Sequence, residues 1–139
     1  MKYMAYTILL LSPVLIAGST KPDPIDTLIN ALCAVESNHN PRAIGDGGQA
    51  VGILQIHPIM IKDVNRILRK DAYTLSDRKD PGKSRMICRV YLLHYGKGKS
   101  NEYLARIWNG GPSGHKKQAT AKYWNKVKNI LKGKDRCKN

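Results

Sequence analysis

Two Asp-Pro steps, Asp23-Pro24 and Asp80-Pro81, each head a segment whose apolar residues recur every three or four positions. An aspartate satisfies the free N–H groups of a first helical turn, and a proline inside that turn gives up no hydrogen bond. These steps therefore set where helices begin. After the first, Ile25, Leu28, Ile29, Leu32, Val35 and Glu36 share one stripe, predicting a helix over 24–37 that Asn38, Asn40 and Pro41 end. Pro58 opens a second helix through about Leu68. The third runs from Asp80-Pro81 to about Tyr95, with Met86, Ile87, Val90, Tyr91 and His94 on its expected inner side. Ser100 starts a short helix through Trp108, stopped by Asn109-Gly110-Gly111-Pro112. A last helix spans about Gln118 to Leu131 on the stripe Trp124, Val127, Ile130 and Leu131, and the basic tail from Lys132 to Asn139 is expected to fray. Between the first two helices, the turn Gly45-Asp46-Gly47-Gly48 and the apolar Ala50 to Ile56 read as a tight hairpin or an extended stretch beside one. No repeat or low-complexity segment interrupts this pattern. The expected class is mainly α, a helical bundle with one small β-hairpin element.

The first residues stand apart. Lys2, an apolar run from Met4 to Ala17 and the small residues Gly18, Ser19 and Thr20 describe a secretory signal peptide. The run is shorter than the roughly 18–20 residues that a membrane span needs, and Pro13 interrupts it. We expect a signal peptide at 1–19, one domain at 20–139, and a secreted or periplasmic monomer without stable membrane insertion. Lys and Arg number 24 against 10 Asp and Glu, a formal charge of +14 that calls for an acidic partner. Nucleic acid, an anionic membrane and an anionic wall polymer all fit that charge. The export signal argues against nucleic acid, and no nucleic-acid-binding motif is present. Cys33, Cys88 and Cys137 allow one disulfide with one thiol over; equally, Cys33 and Cys88 could be buried small hydrophobes within helices. His39, His57, His94 and His115 show no ligand spacing, so neither a metal nor another cofactor is expected.

Of the two glutamates, Glu102 lies near the start of its helix, where the dipole favours a carboxylate. Glu36 follows Leu32 by four residues and Ile29 by seven, so it shares their apolar stripe, and it falls in the last helical turn, where the dipole opposes negative charge. Desolvation and dipole both act to raise its pKa. A carboxylic acid kept protonated near neutral pH is what protonation of a glycosidic oxygen requires.

The neighbouring residues carry a resemblance. Glu36-Ser37-Asn38-His39-Asn40-Pro41-Arg42-Ala43 resembles the first motif of lysozyme-like lytic transglycosylases, and Gly52-Ile53-Leu54-Gln55-Ile56 resembles the second. Ile107-Trp108-Asn109-Gly110-Gly111 is similar to the third, and Tyr123 followed by Val127 to the fourth. Each motif is short, but four in the family's order cover residues 36–127. The resemblance implies a lysozyme-like α+β fold around a catalytic cleft, with peptidoglycan glycan strands as substrate. It implies that Glu36 donates a proton to the bond between N-acetylmuramic acid and N-acetylglucosamine. Ser37, Gln55, Asn109 and Tyr123 would serve the substrate, Gln55 and Asn109 through amides matched to N-acetyl and hydroxyl groups, and Tyr123 by orienting Glu36. Trp108 departs from the family's usual tyrosine, which removes a phenol but keeps a surface for stacking on sugar.

Asp46 divides the mechanism. If it points across the cleft, it can serve as the second carboxylate of a hydrolytic lysozyme. If it does not, Glu36 acts alone, first as acid and then as base toward the substrate's own hydroxyl, and lytic transglycosylation results. Asp63 is a weaker candidate and reads as a solvated helix-face residue. A third reading keeps the fold without the chemistry, as a cationic wall-binding or antimicrobial protein.

Overall fold

The computed structural model describes residues 22–136, so the expected signal peptide at 1–19 and Cys137 lie outside the described residues. The described chain forms α1 (Pro24–Ser37), β1 (Ile44–Gly45), β2 (Ala50–Val51), α2 (Pro58–Leu68), α3 (Pro81–Gly96), α4 (Asn101–Gly110) and α5 (Ala119–Arg136), with three short 3-10 turns between them. The helix starts follow from local chemistry. Asp23 accepts from the Ile25 N–H, Asp80 from Lys83 and Ser100 from Tyr103, each relieving an orphan donor of a first turn.

Helix α1 lies at the centre. Leu28, Ile29, Ala31, Leu32 and Cys33 are fully buried, and the helix touches α3, α4 and α5. Residues so enclosed on one helix need partners on several sides, which Ile87, Leu92, Ile107 and Val127 supply from the surrounding helices. Two clasps hold α1 to α3: Arg89 pairs with Asp23 and, at 2.5 Å, with Asp26, while Arg85 donates to Asn30 at 3.0 Å. Helix α2 packs on α3 and leaves its other face to solvent.

Three expectations need correction. The inner face of α3 is Ser84, Ile87, Cys88, Tyr91 and Leu92, whereas Met86 is 50% exposed and His94 is exposed with its ring edge-on to Tyr95. The polar Ser84 had concealed the register; its hydroxyl is satisfied by donating to the Arg78 carbonyl at 2.9 Å, so it can sit in the core. On α5, Ile130 faces outward while Thr120, Tyr123, Trp124, Val127 and Leu131 turn inward. That helix also continues past Leu131 to Arg136, so most of the basic tail is helical. Lys and Arg are good helix formers, and the tail contains no proline to end the helix.

The β element is smaller than its apolar sequence suggests. Ile44 pairs with Val51 and Gly45 with Ala50, antiparallel, and one further bridge joins Val51 to Ile56. Residues 52–55 form a turn whose Ile53 and Leu54 are buried, so this segment is apolar because the turn enters the core. Cys33 and Cys88 are both buried; Cys88 is a free thiol whose pKa burial pushes well up, leaving it a small hydrophobe.

Candidate active site

Glu36 stands in the last turn of α1, and the end of that helix is closely determined. Asn38 takes the left-handed conformation and donates to Ala34, and the His39 N–H reaches Cys33, consuming carbonyls that the terminus would otherwise leave free. Ser37 donates to the Ile53 carbonyl at 2.9 Å and accepts from the Asn40 N–H at 3.1 Å. Its hydroxyl is thus committed to stitching the buried turn onto the end of α1. Gly52 completes the joint: a Cβ there would lie 1.9 Å from the Arg78 carbonyl oxygen, and its φ of +81° favours glycine. Arg78, which the sequence offered no reason to single out, donates to the carbonyls of Gln49 and Ile56 and clamps the hairpin from outside.

From the opposite side, α4 and α5 bring two donors to one carboxylate oxygen. Tyr123 Oη donates to Glu36 Oε1 at 2.7 Å, and Trp108 Nε1 donates to the same oxygen at 3.2 Å. Trp108 is only 7% exposed and meets Tyr91 edge-on, so the indole is mainly a wall and a donor rather than an open stacking surface. In place of the phenol of the family's usual tyrosine, the indole N–H supplies a polar contact to Glu36. The α4–α5 corner that aims these groups is tied by Arg106, whose guanidinium donates to Thr120 and to the Lys117 carbonyl. Gly114 lets the corner close, since a Cβ there would sit 2.1 Å from the Arg106 carbonyl oxygen.

Burial raises the pKa of Glu36 above its ordinary value; the hydrogen bonds from Tyr123 and Trp108 oppose this, and the nearby Asp46 adds to it. Desolvation wins. The Tyr123 phenol is itself pushed far up by burial and by Glu36, so it remains a donor throughout the working range. Oε2 of Glu36 receives no hydrogen bond from the described residues. A part-buried carboxyl with a raised pKa, one oxygen braced and the other open, has the arrangement that proton donation requires.

Glu36 lies on a cleft of about 880 Å³. It is lined by Asp46, Gln55 and His57, by Trp108, Asn109, Gly111 and Pro112, and by Lys62, Asp63, Arg66 and Tyr95. Asn109 is exposed on the cleft with its amide uncommitted among the described residues. Gln55 has a φ of +48° and spends one amide N–H on the Gly52 carbonyl at 3.0 Å. Its other N–H remains for a ligand. Tyr123 is not on the cleft surface and reaches the site only through Glu36. Asp46 is 70% exposed, with its Oδ2 2.9 Å from His57 Nε2, so Glu36 and Asp46 occupy unlike surroundings. Asp63 is not the solvated residue expected: its side chain is 22% exposed, accepts from Tyr95 Oη at 2.8 Å and pairs with Arg66 at 2.7 Å. Glu102 accepts from Arg106 at 3.1 Å, away from the cleft.

His57 and Trp108 are the site residues that reasoning from sequence missed as partners. Neither has a local signal; each meets its carboxylate only through tertiary packing. No group of three or more His, Cys, Asp or Glu among the described residues is arranged to hold a metal, and no described helix is long and apolar enough to cross a membrane.

A helical body and a cleft lined by a part-buried acid of raised pKa form the kind of arrangement a glycosidase uses. The family model described as Transglycosylase SLT domain matches residues 14–131, and the chain belongs to that family. This makes it a peptidoglycan enzyme of the class that breaks glycosidic bonds. No curated protein matches the chain.

Proposed function

We propose that this protein cleaves the β-1,4 bond between N-acetylmuramic acid and N-acetylglucosamine by lytic transglycosylation, with Glu36 as the only catalytic carboxylate. The observation that carries the reading is the environment of Glu36, part-buried, with a raised pKa, and braced on one oxygen by Tyr123 and Trp108. Protonated Glu36 gives its proton to the glycosidic oxygen as the bond to the muramic anomeric carbon breaks. The resulting Glu36 carboxylate is stabilised by the same two donors and faces an oxocarbenium-like centre. It then takes the proton of the muramic acid's own primary hydroxyl, whose oxygen closes onto the anomeric carbon. Glu36 ends protonated, no water is consumed, and the product carries an anhydro end. Gln55 and Asn109 lie where they can bind sugar amides and hydroxyls along the cleft.

The exposed, His57-bound position of Asp46 supports a single-acid mechanism over hydrolysis. Its place on the same cleft is what favours the second reading, in which Asp46 activates water. We further propose that the chain acts outside the cytoplasm, directed there by residues 1–19. Mass analysis of fragments released from purified sacculi tests the whole reading. Anhydro-muramic ends from the wild type, with none from Glu36→Gln, are expected. Reducing ends would transfer the mechanism to Asp46, and undiminished clearance by Glu36→Gln would leave a cationic wall-binding protein.

A further inference from the structure

The exposed face of α2 carries Lys62 and Arg66, opposite the buried Val64, and Arg69 and Lys70 follow at the C-terminal cap and just beyond it. Lys62 and Arg66 line the catalytic cleft. The same two residues line a second, shallow concavity of about 490 Å³, together with Arg69, Lys70 and Asn65. They form a basic saddle between the sugar-binding cleft and an adjoining cationic hollow. Asp63 and Tyr95 hold the Arg66 guanidinium in place through its Nε and Nη2, and Nη1 has no partner among the described residues. The four cations outnumber the two carboxylates beside them, Asp63 and Asp71. Arg66 in the last turn and Arg69 at the C-cap suit the negative end of the α2 dipole, but Lys62 stands in the first half of the helix, where the dipole gives it no such reason.

We propose that this saddle recognises the free carboxylates of the acidic peptide carried by the muramic acid, so that the protein prefers peptide-bearing glycan strands to bare ones. The inference rests on peptidoglycan being the substrate of the cleft. A side chain of the glycan must leave the cleft across one of its walls, and the Lys62–Arg66 wall opens onto further positive charge. A planar guanidinium pre-positioned by Asp63 and Tyr95 loses little freedom on meeting a carboxylate, which favours Arg66 as the anchor. Arg69 and Lys70 extend the attraction beyond the cleft, where it adds to affinity through screened, additive pairs.

Binding, measured without turnover, isolates the proposal from the cleavage mechanism. The protein carrying Glu36→Gln is titrated with three soluble muropeptide oligomers of equal glycan length: one with free stem carboxylates, one with those carboxylates amidated, and one without peptide. Affinity for the first is expected to exceed the other two by about three- to tenfold at low salt, from a few exposed ion pairs. Adding Arg69→Gln and Lys70→Gln should bring the ratio close to one. Lys62→Gln, a single change on an exposed helical position, should lower it in part. Equal affinity for the free and amidated oligomers would overturn the proposal. So would an unchanged ratio in the variants, or a preference for the amidated peptide, which would assign recognition to peptide bulk. Stronger binding of poly(glycerol phosphate) than of any muropeptide would give the saddle to a wall polymer instead. Release of fragments from sacculi by the unsubstituted protein reports separately on cleavage, so failure of one reading leaves the other standing.

Discussion

Tyr123 donates a 2.7 Å hydrogen bond to Glu36 Oε1 across 87 positions of sequence, joining the far end of the chain to the last turn of its central helix. The bond has two consequences of opposite sign. It favours the ionised form of Glu36 and so restrains a pKa that burial raises, and it fixes the carboxyl so that its other oxygen meets the cleft.

Tyr123→Phe therefore moves the alkaline limb of kcat/KM to higher pH, because the ionised form loses a donor. The maximal rate falls by about tenfold, since the carboxylate left after proton donation is less well stabilised. A pH–rate profile on a soluble glycan oligomer measures both. An alkaline limb that moved down would contradict the role assigned to the phenol.

Trp108→Phe acts in the same direction and more weakly, its bond to Glu36 being longer at 3.2 Å. Because Trp108 is also buried against Tyr91, the smaller ring leaves a void and destabilises the protein by about 1–2 kcal/mol. Urea unfolding alongside the pH profile separates the two effects.

Glu36→Gln lowers activity by about 10²–10⁴-fold, the ordinary yield of a general acid. It also stabilises the fold. A carboxyl whose pKa is raised on folding contributes stability that is fully present below its unfolded value, about 4.3, and lost as pH rises through the folded value. The variant should thus melt at a higher temperature than the wild type near neutral pH, with the gap closing in acid. Calorimetry that found the variant less stable at neutral pH would show that Glu36 is not a desolvated acid.

Asp46→Asn removes a negative charge that raises the pKa of Glu36, so the alkaline limb moves down. The anhydro product should persist. A rate loss of about 100-fold or more with this change, on the scale of a lost catalytic group, would point to hydrolysis.

Gly52→Ala places a methyl group 1.9 Å from the Arg78 carbonyl at a backbone φ of +81°. Overpacking and backbone strain together should cost about 2–4 kcal/mol, read as a lowered urea midpoint with unchanged slope.

Helices could be read directly because their causes are local. Pro58 to Leu68 and Pro24 to Ser37 follow from a proline start, a 3.6-residue stripe and a stop, all within one segment. The register of α3 was not legible, since a buried serine looks polar until its hydroxyl finds the Arg78 carbonyl. The Ala50 to Ile56 stretch shows the same limit: a buried turn and a strand are equally apolar.

The site divides along the same line. The sequence by itself determined that Glu36 lies on an apolar stripe at a helix end, because periodicity and the dipole both act within fourteen residues. Only the tertiary structure decided who meets that carboxyl. Trp108 and Tyr123 reach it from 72 and 87 positions away, and His57 binds Asp46 through the fold of the hairpin against α2. Such contacts depend on how helices pack, and packing is set by the whole core rather than by any one segment.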